Sequence, residues 1–242
     1  MPKRNIKNFH PRKDRHFLYG YLTRCWTRFW MRLAGLNTSG RIATRLATWF
    51  APPHKARVRL AYMNRRGYIE PSATIYHSDL RLDVNCFIGD RVMIFQRENG
   101  GPVNLGDRVY IYRDTIIETG YGGSLTIGNH SSIHPRCQLN AYLAPIQIGS
   151  GVMIAPNCAF YSYDHGIAPD MIIRKQPLKS KGGIIIGDET WLSVGVIVLN
   201  GVQIGSHAVI GAGSVVISDV PDGAIAVGSP ARVVKMRSDV SN

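Results

Sequence analysis

The chain has 242 residues, 45% of them hydrophobic, with 25 glycines and a formal net charge of +13. That composition is globular and turn-rich, and no apolar run reaches the roughly 18 residues a spanning helix needs. The four cysteines (Cys25, Cys86, Cys137, Cys158) have no paired spacing. They are expected as free thiols in a reducing, cytoplasmic compartment, with neither a disulfide frame nor a zinc site.

The charge is unevenly placed. Residues 1–66 hold 16 Lys/Arg and one acid, Asp14, a balance of +15. The remaining 176 residues hold 13 Lys/Arg against 15 Asp/Glu, a balance of −2. The chain thus divides into a basic extension (1–66), a nearly neutral body (67–235) and a short tail (236–242). Residues 1–16 are polar and basic and are expected to be poorly ordered. The first apolar run is broken by arginines and lacks a small-residue cleavage site, so no signal peptide is expected. Residues 17–36 read as a helix, with Arg24, Arg28 and Arg32 four apart on one face and Leu18, Leu22, Cys25, Trp26, Phe29, Trp30 and Leu33 over the rest. A second helical segment spans about 41–50, where Ile42, Leu46 and Trp49 oppose Arg41 and Arg45, and Pro52 and Pro53 stop it. Three of the four tryptophans fall in this extension. Aromatic-rich helices with arginines on the polar face suit a lipid headgroup layer. A helical cap packed on the body, its arginines in water, is the other reading, and the two are compatible. Nucleic acid would suit the charge, but no nucleic-acid motif accompanies it.

From Gly67 a period of six sets in, first with Ile69 and Ile75. It continues through Ile88 and Ile94, then Leu105, Ile111 and Ile117, then Ile127, Ile133 and Leu139, then Ile148, Ile154 and Phe160. Breaks at 96–102, 119–124 and 140–145 read as corner loops, and a longer one at 162–183 carries Asp164 and His165. The pattern is strongest at 184–235, where Ile186, Leu192, Val198, Ile204, Ile210 and Val216 are six apart without a slip. Small residues or Val (Thr190, Val196, Val202, Ala208, Ser214) recur four positions after the aliphatic one. A period of six fits neither an amphipathic helix nor simple strand alternation. It fits an all-β solenoid of seven or eight coils, in which strands of about six residues form three faces and the aliphatic side chains stack inward. Position 231 onward is expected as a short closing strand or cap after the GSP turn.

The segments IGDETW, IGAGSVV, DVP and GSPARVVK, in that order after the Asp164–His165 pair, resemble the C-terminal half of the hexapeptide-repeat acyltransferases. The likeness is closest to the maltose and galactoside acetyltransferases and related polysaccharide O-acetyltransferases, and it covers about residues 69–237. It implies a left-handed parallel β-helix, a homotrimer with active sites between subunits, acetyl-CoA as co-substrate and a saccharide hydroxyl as acceptor. Given the extension, that acceptor is read as lipid-linked or membrane-proximal, in surface polysaccharide or glycolipid synthesis, on the inner face of the cytoplasmic membrane. A serine or amino-sugar N-acyltransferase, or a scaffold without activity, shares the fold and stays open.

Acyl transfer to a hydroxyl needs a base near neutral pH, and the resemblance assigns that role to His165. Asp164 is its neighbour, but adjacent residues of an extended chain point opposite ways, so an orienting role is one reading and a loop contact the other. By resemblance Trp191 flanks the pantetheine path, Ser193, Val194, Gly211 and Ala212 face it, and Lys235 approaches the phosphates. Two departures bear on this map. Ser193 stands where the family commonly has Gly, and Ser218 where it often has Lys. For the acceptor, His134, Asn140, Tyr142 and Tyr163 are the candidates. His130 and His134 lie four apart without accompanying Cys or acid. The γ-class carbonic anhydrases share the solenoid and use zinc, but the C-terminal signature is not theirs, and no metal is expected.

Overall fold

The structure, a computed structural model, describes residues 16–240. Residues 1–15, which carry most of the segment read as poorly ordered, lie outside the described residues.

The period of six becomes three parallel sheets wound into one coil. Among the described residues the sheets hold nine, seven and six strands, here called faces A, B and C. Each inward residue sits in register on its equivalent one coil away. On face A the column is Ile69, Ile88, Ile111, Ile133, Ile154, Leu192, Ile210 and Ala226. On face B it is Ile75, Ile94, Ile117, Leu139, Phe160, Val198 and Val216. On face C it is Leu82, Leu105, Ile127, Ile148, Ile186 and Ile204. The columns meet in one continuous core that excludes water along the whole axis, and this is the main source of stability. Face B supplies seven coils, within the expected number.

The corners explain the sequence between the aliphatic positions. The third residue after an inward one turns into the left-handed region. Asn85, Arg91, Arg108, Asp114, His130, Arg136, Asn157, Glu189 and His207 all have φ between 51° and 63°. This region costs a side-chain-bearing residue on the order of 1–2 kcal/mol. Hydrogen bonds between stacked corners offset it, as in His130 N to Asp107 O (2.8 Å) and His207 N to Asp188 O (2.7 Å). His130 is therefore a corner residue.

Two of the expected corner loops are shorter than the spacing predicts. Strand Ile116–Gly120 and strand Gln138–Tyr142 run on past the corner and pair with each other, Ala141 on Thr119 and Tyr142 on Gly120. Asn140 and Tyr142 are thus strand residues. Insertions thrown from the same corner of successive coils can satisfy each other's backbone groups, so they extend the sheet. At the far end, strands Ala224–Gly228 and Ala231–Met236 form an antiparallel hairpin across a cis Ser229–Pro230 bond and close face A.

The extension folds as α1 (His16–Leu33), α2 (Thr38–Thr48), a 3-10 turn His54–Arg57 and a one-turn α3 (Val58–Ala61). The Asn37 side chain caps α2 by accepting from Gly40 N at 2.9 Å. Met31, Ala47, Leu60 and Ala61 pack on the outward residues Tyr68, Phe87 and Tyr112 of the first coils of face A. The Tyr68 and Phe87 rings stack at 5.5 Å. Arg57 then ties the extension down through Glu70 (2.6 Å), with Asp90 at 3.7 Å, and Glu70 also accepts from the Tyr68 hydroxyl. The described part of the extension thus packs across the first coils of face A. Its other side leaves Tyr21, Leu22, Phe29, Leu33, Ile42 and Trp49 more than half exposed. Among the described residues no helix is long and apolar enough to cross a membrane.

Candidate active site

The long insertion leaves the edge between faces B and C and forms a hairpin. Its strand Asp164–His165 pairs antiparallel with Leu178–Lys179, His165 opposite Leu178. His165 is exposed. Among the described residues its ring has Tyr163 as ring neighbour at 6.4 Å and no hydrogen-bond partner. It stands at an open groove of about 550 Å³ lined by Asp164, His165, Ile167, Lys179, Ser180, Lys181 and Asn200. A free imidazole at the mouth of a groove can accept a proton from a bound hydroxyl.

The Asp164 carboxylate does not reach that ring. It accepts from Asn200 Nδ2 at 2.7 Å, and Asn200 Oδ1 accepts from Lys181 N at 2.8 Å. Asn200 is buried at the corner of the next coil. One amide therefore clamps both ends of the insertion to the rigid coil. Sequence reasoning missed Asn200, whose only signal was a polar residue where the corner pattern tolerates a small one. It also missed Ser162, whose hydroxyl accepts from Tyr142 N (2.9 Å) and lies 2.9 Å from Tyr142 O and 3.2 Å from Asn140 O.

Of the acceptor candidates, Tyr142 and Tyr163 gather beside His165. Their rings are 4.9 Å apart, and Tyr121 and Tyr161 extend the cluster at 5.9 and 6.0 Å. The Tyr142 hydroxyl donates to Glu118 Oε2 at 3.0 Å. Burial first, and that bond second, push its pKa up to about 12. Asn140 is buried two residues before Tyr142 in the same strand. His134 is elsewhere, at the edge of face A, its ring 5.0 Å from Tyr112 beneath the extension. Burial, then Lys55 and then His54, lower its pKa.

The donor candidates share face A. Trp191 pairs with Val209, Val209 with Ile225, and Ile225 with Lys235. Trp191 and Lys235 thus end one outward row about 14 Å long at the usual strand spacing. Ser193 and Gly211 flank it on successive coils, and Val194 and Ala212 are exposed at the next position. In a three-faced coil the edge that carries His165 is opposite face A, so within one chain the base and this row do not meet. Among the described residues no group of three or more His, Cys, Asp or Glu could hold a metal.

No family model matches the chain. It is 30% identical over 187 residues to Probable acetyltransferase Rv3034c of Mycobacterium tuberculosis, a match covering 77% of this chain and 53% of that protein. Galactoside O-acetyltransferase of Lactococcus lactis is 40% identical over 94 residues, 39% of this chain and 44% of that protein. The chain spans about half the length of these curated relatives. Among solved structures, a point mutant of the Bacillus cereus N-acyltransferase AntD, in complex with dTDP and coenzyme A, superposes with a TM-score of 0.54. The two are 24% identical over 65% of this chain and 82% of that one. The fold is a left-handed parallel β-helix of hexapeptide repeats. Its sequence relatives are acetyltransferases, and its fold is the one that hexapeptide-repeat transferases share.

Proposed function

We propose that this protein transfers an acetyl group from acetyl-CoA to a saccharide hydroxyl, with His165 as general base. The observation that carries the reading is the unbonded His165 imidazole at the groove, on a hairpin locked to the coil through Asp164 and Asn200. An unprotonated ring nitrogen takes the hydroxyl proton as the oxygen attacks the thioester carbonyl. The tetrahedral intermediate then collapses, the C–S bond breaks, and the imidazolium returns the proton to the leaving thiolate. Asp164 acts as a positioning residue, since its carboxylate is spent on Asn200. Coenzyme A lies along face A, its nucleotide phosphates toward Lys235 and its pantetheine past Trp191. The tyrosines beside His165 supply ring faces for a pyranose.

The base and the donor row occupy opposite sides of one coil, and this supports a homotrimer in which His165 of one copy faces Trp191 of the next. Exposed apolar residues on the coil, including Met153, Ile197, Ile217 and Val233, provide surface for such contacts. O-transfer is preferred over N-transfer because the galactoside O-acetyltransferase of Lactococcus lactis is among the relatives. The exposed aromatic and aliphatic side chains of the extension, with its charge of +15, favour a lipid-linked or membrane-proximal acceptor and a peripheral place on an anionic membrane.

The test is thiol release from acetyl-CoA with a panel of sugars and glycolipids. Acceptor-dependent release should fall by roughly a hundred- to ten-thousand-fold in His165→Ala. Undiminished release in that variant would remove His165 from the chemistry. Failure to bind coenzyme A at all would leave a scaffold.

A further inference from the structure

The residue after each inward position of face A forms a second column, along the edge between faces A and B. It reads Tyr112, His134, Ala155, Ser193 and Gly211. A backbone ladder holds it in line: Tyr112 N to Ile133 O (2.8 Å), His134 N to Ile154 O, Ala155 N to Leu192 O, Ser193 N to Ile210 O and Gly211 N to Ala226 O (each 2.9 Å). The half nearer the C-terminus has small side chains, and at Gly211 even a Cβ would come within 2.6 Å of the Val227 side chain. The half nearer the N-terminus is blocked by rings. His134 stands edge-on to Tyr112, the Lys55 ammonium lies 5.3 Å from the Tyr112 ring centre, and the His54 ring lies 6.0 Å from it. The column therefore passes from small residues to a basic, aromatic wall, half of which the extension contributes.

That wall lacks a counter-charge. Glu70 and Asp90 are engaged by Arg57, and Asp114 by Arg91 and Arg113. Among the described residues Lys55 has no carboxylate partner, and it is exposed. The position along the axis gives the wall a role, on the donor placement proposed above. With the nucleotide toward Lys235 and the thioester at the level of the coil that launches His165, the next rungs toward the N-terminus are those of His134 and Tyr112. The acceptor must lie beyond the thioester, and so against this wall.

We propose that His54, Lys55, Tyr112 and His134 form an acceptor subsite for an anionic group, phosphate or carboxylate, borne by the saccharide. Lys55 supplies the charge and His134 a hydrogen bond to the sugar. Charge-assisted hydrogen bonds are about twice as strong as neutral ones, so an anionic acceptor is favoured over its neutral counterpart by about tenfold or more.

The test is binding of galactose 1-phosphate, galacturonate and galactose to the full chain by calorimetry, with acetyl transfer scored separately on the same samples. Both anionic sugars should bind about tenfold more tightly than galactose. Lys55→Ala should abolish the difference, Lys55→Glu reverse it and Lys55→Arg restore it. Preference for galactose 1-phosphate alone narrows the class to phosphate. Equal binding of all three, or a preference that survives Lys55→Ala, overturns the subsite. If no acetyl transfer occurs while Lys55-dependent binding persists, the transferase reading falls and the subsite stands. Transfer with equal use of neutral and anionic acceptors sinks the subsite alone.

Discussion

Replacing Asn200 by Ala should uncouple the hairpin that carries His165 from the coil without unfolding the coil. The Asn200 side chain makes two bonds, to the Asp164 carboxylate at 2.7 Å and from Lys181 N at 2.8 Å. A hydrogen bond to a charged group contributes about 1.5–3 kcal/mol and a neutral one about 1 kcal/mol. Asp164 is exposed and rehydrates once released, so the lower end applies and the pair is worth about 2.5 kcal/mol. That converts to a loss in kcat of up to about 70-fold, since each 1.36 kcal/mol is tenfold. The inward columns do not include Asn200, so the melting temperature should move little. The measurement pairs steady-state kinetics with amide hydrogen exchange. In the variant, Gly166 N, which donates to Pro177 O across the hairpin at 3.1 Å, should lose protection while core amides keep theirs. Unchanged hairpin protection and kcat would refute the clamp. A collapse in melting temperature would show that Asn200 supports the coil instead.

Other consequences follow from the same contacts. Phe160→Ala should cost about 3–5 kcal/mol, because the ring is fully buried between Leu139 and Val198 and the column cannot close around the gap; a denaturation midpoint left unchanged would contradict inward stacking. Tyr142 bears on stability in alkali. Its pKa rises to about 12 in the fold, from about 10 unfolded, so the neutral form is favoured in the native state. The stabilisation is complete below pH about 10 and is lost as pH climbs toward 12. Cys86, raised by burial to about 11, titrates in an overlapping window, so the informative comparison is the alkaline slope of wild type against Tyr142→Phe. Equal slopes would sever the link to Glu118. Flotation with phosphatidylglycerol-containing vesicles tests the extension: wild type should bind and be released by salt, and joint replacement of Leu22, Phe29 and Trp49 by Ser should abolish binding. Binding that survives the triple replacement would exclude this surface.

The solenoid and the position of its long insertion were legible because both are local patterns. One residue in six must point inward, and any stretch that breaks the count must leave at a corner, which isolated Asp164 and His165 before any contact was known. The α1 and α2 helices were legible from their arginine and aromatic spacing, within a few residues at each end. The one-turn α3 and the 3-10 turn before it were not, because four residues are too few to display a period.

Tertiary structure decided which outward surfaces meet. Nothing in the spacing says that Arg57 finds Glu70, or that the extension lies across the first coils of face A and so places Lys55 over Tyr112. Nor does it say that Asp164 bonds a residue 36 positions away instead of its neighbour, or that the insertions after Glu118 and Asn140 pair into longer strands. The sequence alone determined the inward half of every coil, because burial imposes the same requirement at each turn. The outward half carries no repeated requirement. Each side chain there is settled by the particular neighbour that folding brings to it.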